Sequence, residues 1–240
     1  MKILYAVPGI MSKSRMGTKE MERRKNVLQS FAAPGTIVDI RDIPDGPESI
    51  ESTYEEYLGI PNTIDLIVQA EKDGFDGVIL GCYADPGLDG ARELVNIPVV
   101  GPGVTSMHYA AMLGHHFSVI TIMDTVVPTI EEMALKAGCE RKLASVRVVD
   151  IPVLELNERP ELLKERAMEE ARAAIKEDRA DCLVFGCMTM AFSGMAKEMS
   201  EALGVPVISP PIASLKFLEG LIASGLSHSK KAFPTPPKLR

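Results

Sequence analysis

The feature that most constrains the fold of this chain is an apolar run ending in Gly-Cys, which occurs twice. Residues 183–185 lead through a glycine into Cys187, and residues 78–80 lead into Cys82 in the same way. A run of about four to eight apolar residues closed by glycine is typical of a buried parallel strand that reaches its carboxyl end. Because ligands bind at this edge of open α/β sheets, both cysteines are predicted to lie at a ligand-binding edge.

The likeness between the two halves continues beyond the cysteines. Residues 70–82 align with residues 175–187, and residues 97–102 align with residues 205–210. Each half is therefore predicted to contain an opening strand, helices, a strand ending in Gly-Cys, a helix, a short Pro-led strand and another helix. Any two Rossmann-like domains look alike at this level, but that alternative does not explain Gly-Cys at the same point twice.

This order of elements predicts an α/β fold of two pseudo-symmetric Rossmann-like domains. Each domain is expected to be a mainly parallel sheet flanked by helices, with the active site in the cleft between the domains. The predicted first domain comprises residues 1–113 and 211–240 and contains Cys82. The predicted second domain comprises residues 114–210 and contains Cys187. The sheet of the second half is complete before the last helix, so that helix is expected to cross back to the first half.

Two segments outside the repeat carry their own expectations. Residues 43–61 are rich in Pro, Gly and acidic residues and are expected to form a long loop with a short helix at residues 52–58. Loops of this length in compact domains are often functional, and a lid over the crevice is one hypothesis. Residues 227–240 form a polar, Pro-rich tail that is expected to be loose.

The composition excludes several classes of protein. The chain has 240 residues, of which 46% are apolar, and this suits one large or two small α/β domains. The net charge of −7 argues against a nucleic-acid partner, which usually needs a basic surface. No apolar run approaches ~20 residues and no signal peptide opens the chain, so a cytoplasmic location without membrane contact is expected. The four cysteines are expected to remain thiols in that reducing compartment.

A helix is expected to begin shortly after each of the two cysteines. Asp85 is predicted to be the N-cap, and Pro86 the first residue, of a helix that ends at Leu94. A second helix is predicted from Cys187 to Leu203. The positive end of each helix dipole would then lie close to a sulfur atom and favour its thiolate form.

Two thiols facing one substrate can invert a stereocentre without a cofactor. One thiolate removes a proton from carbon on one face, and the other thiol returns a proton on the opposite face. The intermediate enolate needs hydrogen-bond donors, and the backbone N–H groups after each cysteine are suitable. The candidate acid/base groups are Cys82 and Cys187. The candidate substrate-binding residues are Tyr83, Ala84, Met188 and Thr189 together with Pro8 and Asp124, which follow the opening strands of the two halves.

The residues around both cysteines resemble those of a known family. The segment GCYADPGLDGARE at residues 81–93 resembles the Gly-Cys-aromatic-x-Asp-Pro-Gly-Leu motif of hydantoin racemases, which include the allantoin racemases. Residues 143–156 and the FGCMTM segment at residues 185–190 are similar to the second-half motifs of that family. The resemblance covers most of residues 1–225 and extends to the wider aspartate/glutamate racemase superfamily. It implies two domains that each contribute one acid/base cysteine, here Cys82 and Cys187.

Two departures from the family pattern lie near the expected pocket. The family often has Asn-Pro-Asn-Thr after the first strand, where residues 7–10 of this chain are Val-Pro-Gly-Ile. The second motif usually reads Gly-Cys-Ala-Gly-Met, where residues 186–190 are Gly-Cys-Met-Thr-Met. The resemblance therefore implies the reaction of a cofactor-independent racemase or epimerase, an isomerase, more strongly than it implies one substrate. A 5-substituted hydantoin or a related small molecule is expected.

Other interpretations of the same residues stay open. A maleate isomerase-like or arylmalonate decarboxylase-like reaction would use one cysteine as nucleophile or proton donor, although the decarboxylase pattern needs only the second-half cysteine. A non-catalytic small-molecule binder or a thiol redox sensor would use the pair in other ways. Cys139 and Cys182 lack the repeated context and are interpreted as core residues.

The expected partner is a small-molecule substrate. No metal-ligand cluster and no cofactor fingerprint is visible, so neither a metal nor a cofactor is expected. Nucleic acid and membrane are excluded by the charge and hydropathy described above. A homo-oligomer is expected, although the sequence leaves its size open.

Overall fold

The computed structural model describes residues 1–239, which divide into two units. The first unit comprises Met1–Ile50, Tyr54–Pro102 and the chain from Ser214 onward, and the second comprises Glu51–Thr53 and Gly103–Ala213. Each unit has a four-stranded parallel sheet flanked by helices, which confirms the predicted α/β class. Among the described residues, no helix is both long enough and apolar enough to cross a membrane.

The central strands of both sheets are buried along almost their whole length. The strands are β1 (Lys2–Val7), β2 (Ile37–Asp42), β3 (Gly77–Leu80), β4 (Val99–Val100), β5 (Phe117–Thr121), β6 (Leu143–Val148), β7 (Cys182–Phe185) and β8 (Val207–Ile208). The strand order is β2-β1-β3-β4 in the first sheet and β6-β5-β7-β8 in the second, with all neighbours parallel. Residues 3–6 and 182–185 are fully buried, as expected when helices cover both faces of a parallel sheet.

Nine helices in the described part of the chain connect or follow these strands. They are α1 (Gly17–Phe31), α2 (Thr53–Lys72), α3 (Leu88–Leu94), α4 (Pro102–Leu113), α5 (Val127–Lys136), α6 (Pro160–Glu177), α7 (Met188–Ala191), α8 (Ala196–Leu203) and α9 (Pro210–Ala223). In α6 the buried residues recur every three or four positions, which puts them on one side of the helix. They are Leu163, Ala167, Ala171 and Ala174.

Helix α2 corrects the expectation of a long loop at residues 43–61 with a short helix at residues 52–58. One helix runs through Pro61, although proline removes a hydrogen bond from the helix interior. Burial of one face compensates for this loss, and Thr63 Oγ1 also donates to the Gly59 carbonyl at 2.7 Å. The buried residues of α2 are Gly59, Thr63, Ile67 and Ala70.

The boundary between the units lies at Gly103 and not at the predicted Gly114. Helix α4 therefore belongs, from Gly103 on, to the second unit. Lys142 Nζ donates to the carbonyl of Ala111 at 2.6 Å and to that of Gly114 at 3.0 Å, which ties the end of α4 to this unit. The prediction took the start of the second repeat as the boundary, but a connecting helix belongs to the surface on which it packs.

Helix α9 belongs to the first unit from Ser214 onward. A Cβ atom at Gly77 in β3 would lie 2.7 Å from Leu218 Cδ1, so this helix packs directly on the first sheet. Glu219 Oε1 also accepts a hydrogen bond from the Ala33 N–H at 2.6 Å. The last helix of the chain thus covers the sheet with which the chain begins.

The segment after α9 is bonded to the first unit, so the expectation of a loose tail is wrong. Ser227 Oγ donates to the carbonyl of Asn96 at 2.6 Å. Lys230 Nζ donates to the carbonyls of Arg92 at 2.8 Å and Glu93 at 3.1 Å. A helix end leaves backbone acceptors without intrahelical partners, and a polar tail can be ordered by satisfying them.

Candidate active site

Cys82 lies where the two central strands of the first sheet end. β1 and β3 are neighbours, with Ala6 opposite Leu80, so the loop from Pro8 and the turn from Gly81 leave the same sheet edge. The Gly81 N–H donates to the Ala6 carbonyl at 2.7 Å, and Cys82 is half-buried beside it. We call Cys82 and the loop after β1 the first half-site.

Cys187 lies at the equivalent place in the second sheet. β5 and β7 are neighbours, with Ile120 opposite Phe185. The Gly186 N–H donates to the Ile120 carbonyl at 2.7 Å, and Cys187 is 8% exposed. We call Cys187 and the turn after β5 the second half-site.

Glycine precedes both cysteines because no side chain fits at either position. A Cβ atom at Gly81 would lie 2.7 Å from the Ala6 carbonyl oxygen. A Cβ atom at Gly186 would lie 2.7 Å from Val119 Cγ1 and 2.8 Å from Thr121 Cβ. Each turn therefore packs directly against the neighbouring strand. This contact fixes the position of the cysteine that follows the glycine.

A buried hydroxyl group on the neighbouring strand supports each turn. Tyr5 OH donates to the Gly81 carbonyl at 3.4 Å, and Thr121 Oγ1 donates to the Gly186 carbonyl at 3.2 Å. The two hydroxyl groups come from different positions of the opening strands, because Ala6 and Ile120 are the equivalent residues that accept from Gly81 and Gly186. Sequence reasoning missed this pair, although a polar residue at the end of an apolar strand was a signal that could have identified Thr121.

The turn after Cys82 differs from the predicted helix start. Asp85 has a positive φ of 55°, and its N–H donates to the Cys82 carbonyl at 3.2 Å. Gly87 is the N-cap of α3, so the predicted start at Asp85-Pro86 is wrong. A Cβ atom at Gly101 would lie 2.5 Å from Asp85 Oδ2, so the carboxylate packs against that glycine.

Cys187 lies directly at the start of a helix, whereas Cys82 does not. Cys187 is the extended N-cap residue of α7, and Met188 and Thr189 lie in the first turn, whose N–H groups point out of the helix. Tyr83 and Ala84 instead lie in the turn that precedes α3. A helix start close behind the cysteine is therefore present at the second half-site, and a turn takes its place at the first.

The helix expected from Cys187 to Leu203 is divided into α7 and α8. Gly194 has a φ of 83°, a left-handed conformation that glycine adopts without strain. Ser193 Oγ donates to the Met190 carbonyl at 2.6 Å and closes the first helix. The short α7 has four residues, so its dipole is weaker than that of the longer helix that was predicted.

The two remaining substrate-binding candidates have different environments. Pro8 is buried at the end of β1, where a Cβ atom at Gly59 would lie 2.6 Å from its carbonyl oxygen. Asp124 is exposed and opens the turn after β5. The next residue, Thr125, donates from its hydroxyl to the Glu51 carbonyl at 2.5 Å. No sequence signal predicted that Glu51 supports this turn.

The other two cysteines are core residues. Cys182 is fully buried in β7, where burial and the charge of Asp181 raise its pKa to about 11. Cys139 is 3% exposed, and its Sγ lies 3.5 Å from His108 Nδ1. Burial is the main cause that raises the pKa of Cys139, and Glu140 adds to it. Both residues are therefore protonated thiols at neutral pH, in agreement with their interpretation as core residues.

Cys182 is expected to stay unmodified when the folded protein is treated with iodoacetamide near neutral pH. The thiolate is the reactive form, and a thiol whose pKa is about 11 is almost entirely protonated under these conditions. Cys82 is half-buried at a sheet edge and is expected to react first. Peptide mass mapping at increasing times measures both rates, and modification of Cys182 as fast as Cys82 would contradict this expectation.

The chain is similar to hydantoin and allantoin racemases along most of its length. A family model described as Asp/Glu/Hydantoin racemase matches residues 15–218. The hydantoin racemase of Pseudomonas sp. (strain NS671) is 37% identical over 194 residues, which is 80% of this chain and 77% of that protein. The solved structure of allantoin racemase from Pseudomonas fluorescens is 34% identical, with a TM-score of 0.91 over 99% of this chain and 97% of that chain. These findings confirm the resemblance predicted from residues 81–93.

A more distant solved structure shares the fold alone. The maleate isomerase from Pseudomonas putida S16 is 16% identical, with a TM-score of 0.69 over 94% of this chain and 93% of that chain. Because a fold can support many reactions, this likeness does not favour a maleate isomerase-like reaction.

Proposed function

Since this chain belongs to the Asp/Glu/hydantoin racemase family and is a racemase, we propose that it inverts the configuration of an acidic carbon next to a carbonyl group by proton transfer between two thiols. Cys82 and Cys187 are the acid/base groups in this proposal. The observation that carries it is their equivalent placement, each after a glycine at the carboxyl end of a central strand. Neither Cys139 nor Cys182 has such a position.

The proposed reaction needs one thiolate and one thiol at the start of each turnover. The thiolate takes the proton of the stereocentre, so a C–H bond breaks and an S–H bond forms. The electron pair of the broken bond moves onto the carbonyl oxygen as an enolate. The second thiol then gives its proton to the opposite face of the same carbon. Inversion leaves the two sulfur atoms with exchanged protonation states, and the reverse reaction starts from that state.

Stabilisation of the enolate is assigned to backbone donors at the two half-sites. The N–H groups of Met188 and Thr189 lie in the first turn of α7, where donors and dipole favour negative charge. The Thr189 hydroxyl is a further donor to a substrate oxygen in this proposal. The N–H groups of Tyr83 and Ala84 are the proposed counterparts in the turn after Cys82. Because these donors differ in local structure, we expect the enolate oxygen to bind at the second half-site.

The proposed substrate is a 5-substituted hydantoin or a related small molecule. Three hydantoin racemases are 33% to 37% identical to this chain. The ring carbon at position 5 of a hydantoin bears a hydrogen next to a carbonyl group, so its deprotonation gives the enolate that the mechanism requires. The departures from the family pattern at residues 7–10 and 186–190 are expected to affect which 5-substituent is accepted.

A panel of enantiopure compounds tests this function. Polarimetry with allantoin, other 5-substituted hydantoins, aspartate and glutamate is expected to show decay of optical rotation for at least one hydantoin. A variant that carries both Cys82→Ser and Cys187→Ser is the control for spontaneous racemisation. Decay with aspartate or glutamate alone would contradict the proposed substrate class. Conversion to a product of different mass would contradict racemisation itself.

Activity is expected to be unchanged after exhaustive dialysis against a metal chelator and without added pyridoxal phosphate. Two thiols suffice for both proton transfers in the proposed reaction, so no step needs a metal ion or a cofactor. Within residues 1–239, no group of three or more His, Cys, Asp and Glu side chains is placed to hold a metal ion. The initial rate of racemisation before and after dialysis measures the effect. A lost rate that returns when a metal ion is added would contradict the proposal.

A further inference from the structure

The C-terminal segment 227–235 covers the end of α3 with hydrogen-bond donors. Four of its side chains donate to backbone carbonyls at or just after the end of that helix. The bonds are Ser227 to Asn96 at 2.6 Å, His228 Nε2 to Val95 at 2.9 Å, Lys230 Nζ to Arg92 at 2.8 Å and to Glu93 at 3.1 Å, and Thr235 to Glu93 at 3.1 Å. We call residues 227–235 the C-terminal clamp.

The clamp also packs on Arg92, which connects α3 to the sheet. The ring of Phe233 lies under the Arg92 guanidinium, with 5.4 Å between Cζ and the ring centroid. Arg92 Nη2 donates to the Val99 carbonyl in β4 at 3.1 Å. Burial lowers the pKa of Arg92, while the charges of Asp89 and Asp85 oppose that shift. Asp85, a residue of the turn that follows Cys82, is therefore close enough for its charge to act on Arg92.

Backbone bonds complete the connection from α3 to Cys82. The Leu88 N–H donates to the Asp85 carbonyl at 3.2 Å, and the Asp85 N–H donates to the Cys82 carbonyl at 3.2 Å. α3 has seven residues, and a helix this short is unstable on its own in water. Its position, and with it the position of the Cys82 turn, therefore depends on the packing of its buried residues Leu88 and Ala91 and on the groups that bind its two ends.

The clamp lies outside the part of the chain that the family model matches. That match ends at residue 218, before the clamp begins. The clamp, α3 and Cys82 all belong to the first unit. Any influence of the clamp on the reaction is therefore expected to act at the first half-site.

We infer that the C-terminal clamp positions Cys82 through α3, with Lys230 as the main positioning residue. Lys230 is chosen because its single ammonium group binds two carbonyls of the helix end. A hydrogen bond from a charged donor is stronger than one from a neutral donor. The role of the clamp in the reaction rests on the proposed function of Cys82 as an acid/base group.

A matched pair of variants separates this role from general effects of changing the tail. Lys230→Met removes both hydrogen bonds and keeps an unbranched side chain of similar length. Lys231→Met makes the same chemical change at the next position, where the side chain is exposed and makes no hydrogen bond in the described part of the chain. Lys230→Arg restores a charged donor and serves as the rescue variant.

The first readouts need no substrate. Lys230→Met is expected to raise the hydrogen–deuterium exchange of the α3 amides roughly tenfold, because local opening becomes easier when the helix end loses its partners. It is also expected to change the alkylation rate of Cys82 severalfold and to leave that of Cys187 unchanged. Lys231→Met and Lys230→Arg are expected to match the unmodified protein. Equal behaviour of the two methionine variants, or equal changes at both cysteines, would overturn the inference.

Racemase kinetics then separate the clamp from the proposed reaction. Lys230→Met is expected to lower kcat with little change in KM, because the thiol is misplaced while substrate binding is retained. A selective change at Cys82 without any change in kcat would leave the clamp established and contradict the acid/base role of Cys82. If Lys230→Met does not fold, Phe233→Leu takes its place in the same assays, since it removes the ring under Arg92 but keeps an apolar side chain.

Discussion

Serine in place of either Cys82 or Cys187 is expected to lower racemisation in both directions by at least ~10²–10⁴-fold, the contribution of one positioned acid/base group. A hydroxyl group resembles a thiol in shape and position, but its pKa lies several units higher, so it is a poor base near neutral pH. Every turnover uses one group on each face of the substrate. The loss is therefore expected in both directions for each single variant.

Initial rates measured from each pure enantiomer by polarimetry give this comparison. Cys139→Ser is the matched control, since it makes the same chemical change in the core of the second unit. It is expected to stay close to the unmodified rate at temperatures where the protein is folded. Full racemase activity in Cys82→Ser or in Cys187→Ser would favour a reaction with one cysteine and would contradict the two-thiol proposal.

Alanine in place of Gly186 is expected to destabilise the protein by ~1–3 kcal/mol, the usual cost of adding a methyl group to a well-packed core. The added Cβ would lie 2.7 Å from Val119 Cγ1 and 2.8 Å from Thr121 Cβ, so the turn must move away from β5. Cys187 follows directly and moves with it. Racemisation is therefore expected to fall more than the loss of folded protein explains, because small displacements of reacting groups are costly.

Gly220→Ala is the control for this glycine substitution. Gly220 is an exposed residue of α9, and in residues 1–239 no atom other than the backbone of its own helical turns and its chain neighbours lies within 4 Å of a Cβ at this position. The change is expected to stabilise the protein by about 0.5–1 kcal/mol through higher helix propensity and a less flexible unfolded chain. Urea unfolding followed by circular dichroism measures both variants. If Gly186→Ala were as stable and as active as Gly220→Ala, the steric account of the Gly-Cys turn would be wrong.

The sequence predicted the strands and the family well because both depend on local patterns. Buried parallel strands need continuous apolar runs, and residues 78–80 and 183–185 supply them. The glycine after each run is required because a side chain there would clash with the neighbouring strand. The Gly-Cys pattern therefore reflects a tertiary contact that is visible in the local sequence. The motif at residues 81–93, together with the segments at residues 143–156 and 185–190, identified the racemase family.

The expectations that failed depend on contacts between segments that are distant in sequence. Asp85 was expected to be the N-cap of the helix after Cys82, but Gly87 is the N-cap and the Asp85 carboxylate packs against Gly101. Helix α4 was assigned to the first domain, although Lys142 of the second unit binds its final carbonyls. The tail was expected to be loose because it is polar, yet its donors satisfy the end of α3. The composition of a segment does not show which distant backbone carbonyl its polar side chains will bind.

Pro61 and Gly194 show that the bounds of helices are also difficult to predict from the sequence. Proline usually ends a helix, but α2 continues through Pro61 because its buried face packs in the first unit. Gly194 lies in what was predicted as one helix after Cys187, and its left-handed conformation divides that segment in two. In both places tertiary packing determined an outcome that propensity left open.

Exchange of the substrate's α-hydrogen in D₂O tests the two-thiol proposal most directly. Each single Cys→Ser variant is incubated with each pure enantiomer, and the α-hydrogen signal is followed by proton NMR. The remaining thiol reaches only the C–H bond that points toward it, so Cys82→Ser and Cys187→Ser are expected to exchange opposite enantiomers. Exchange of the same enantiomer by both variants would contradict proton transfer on two faces and would favour a reaction with one cysteine.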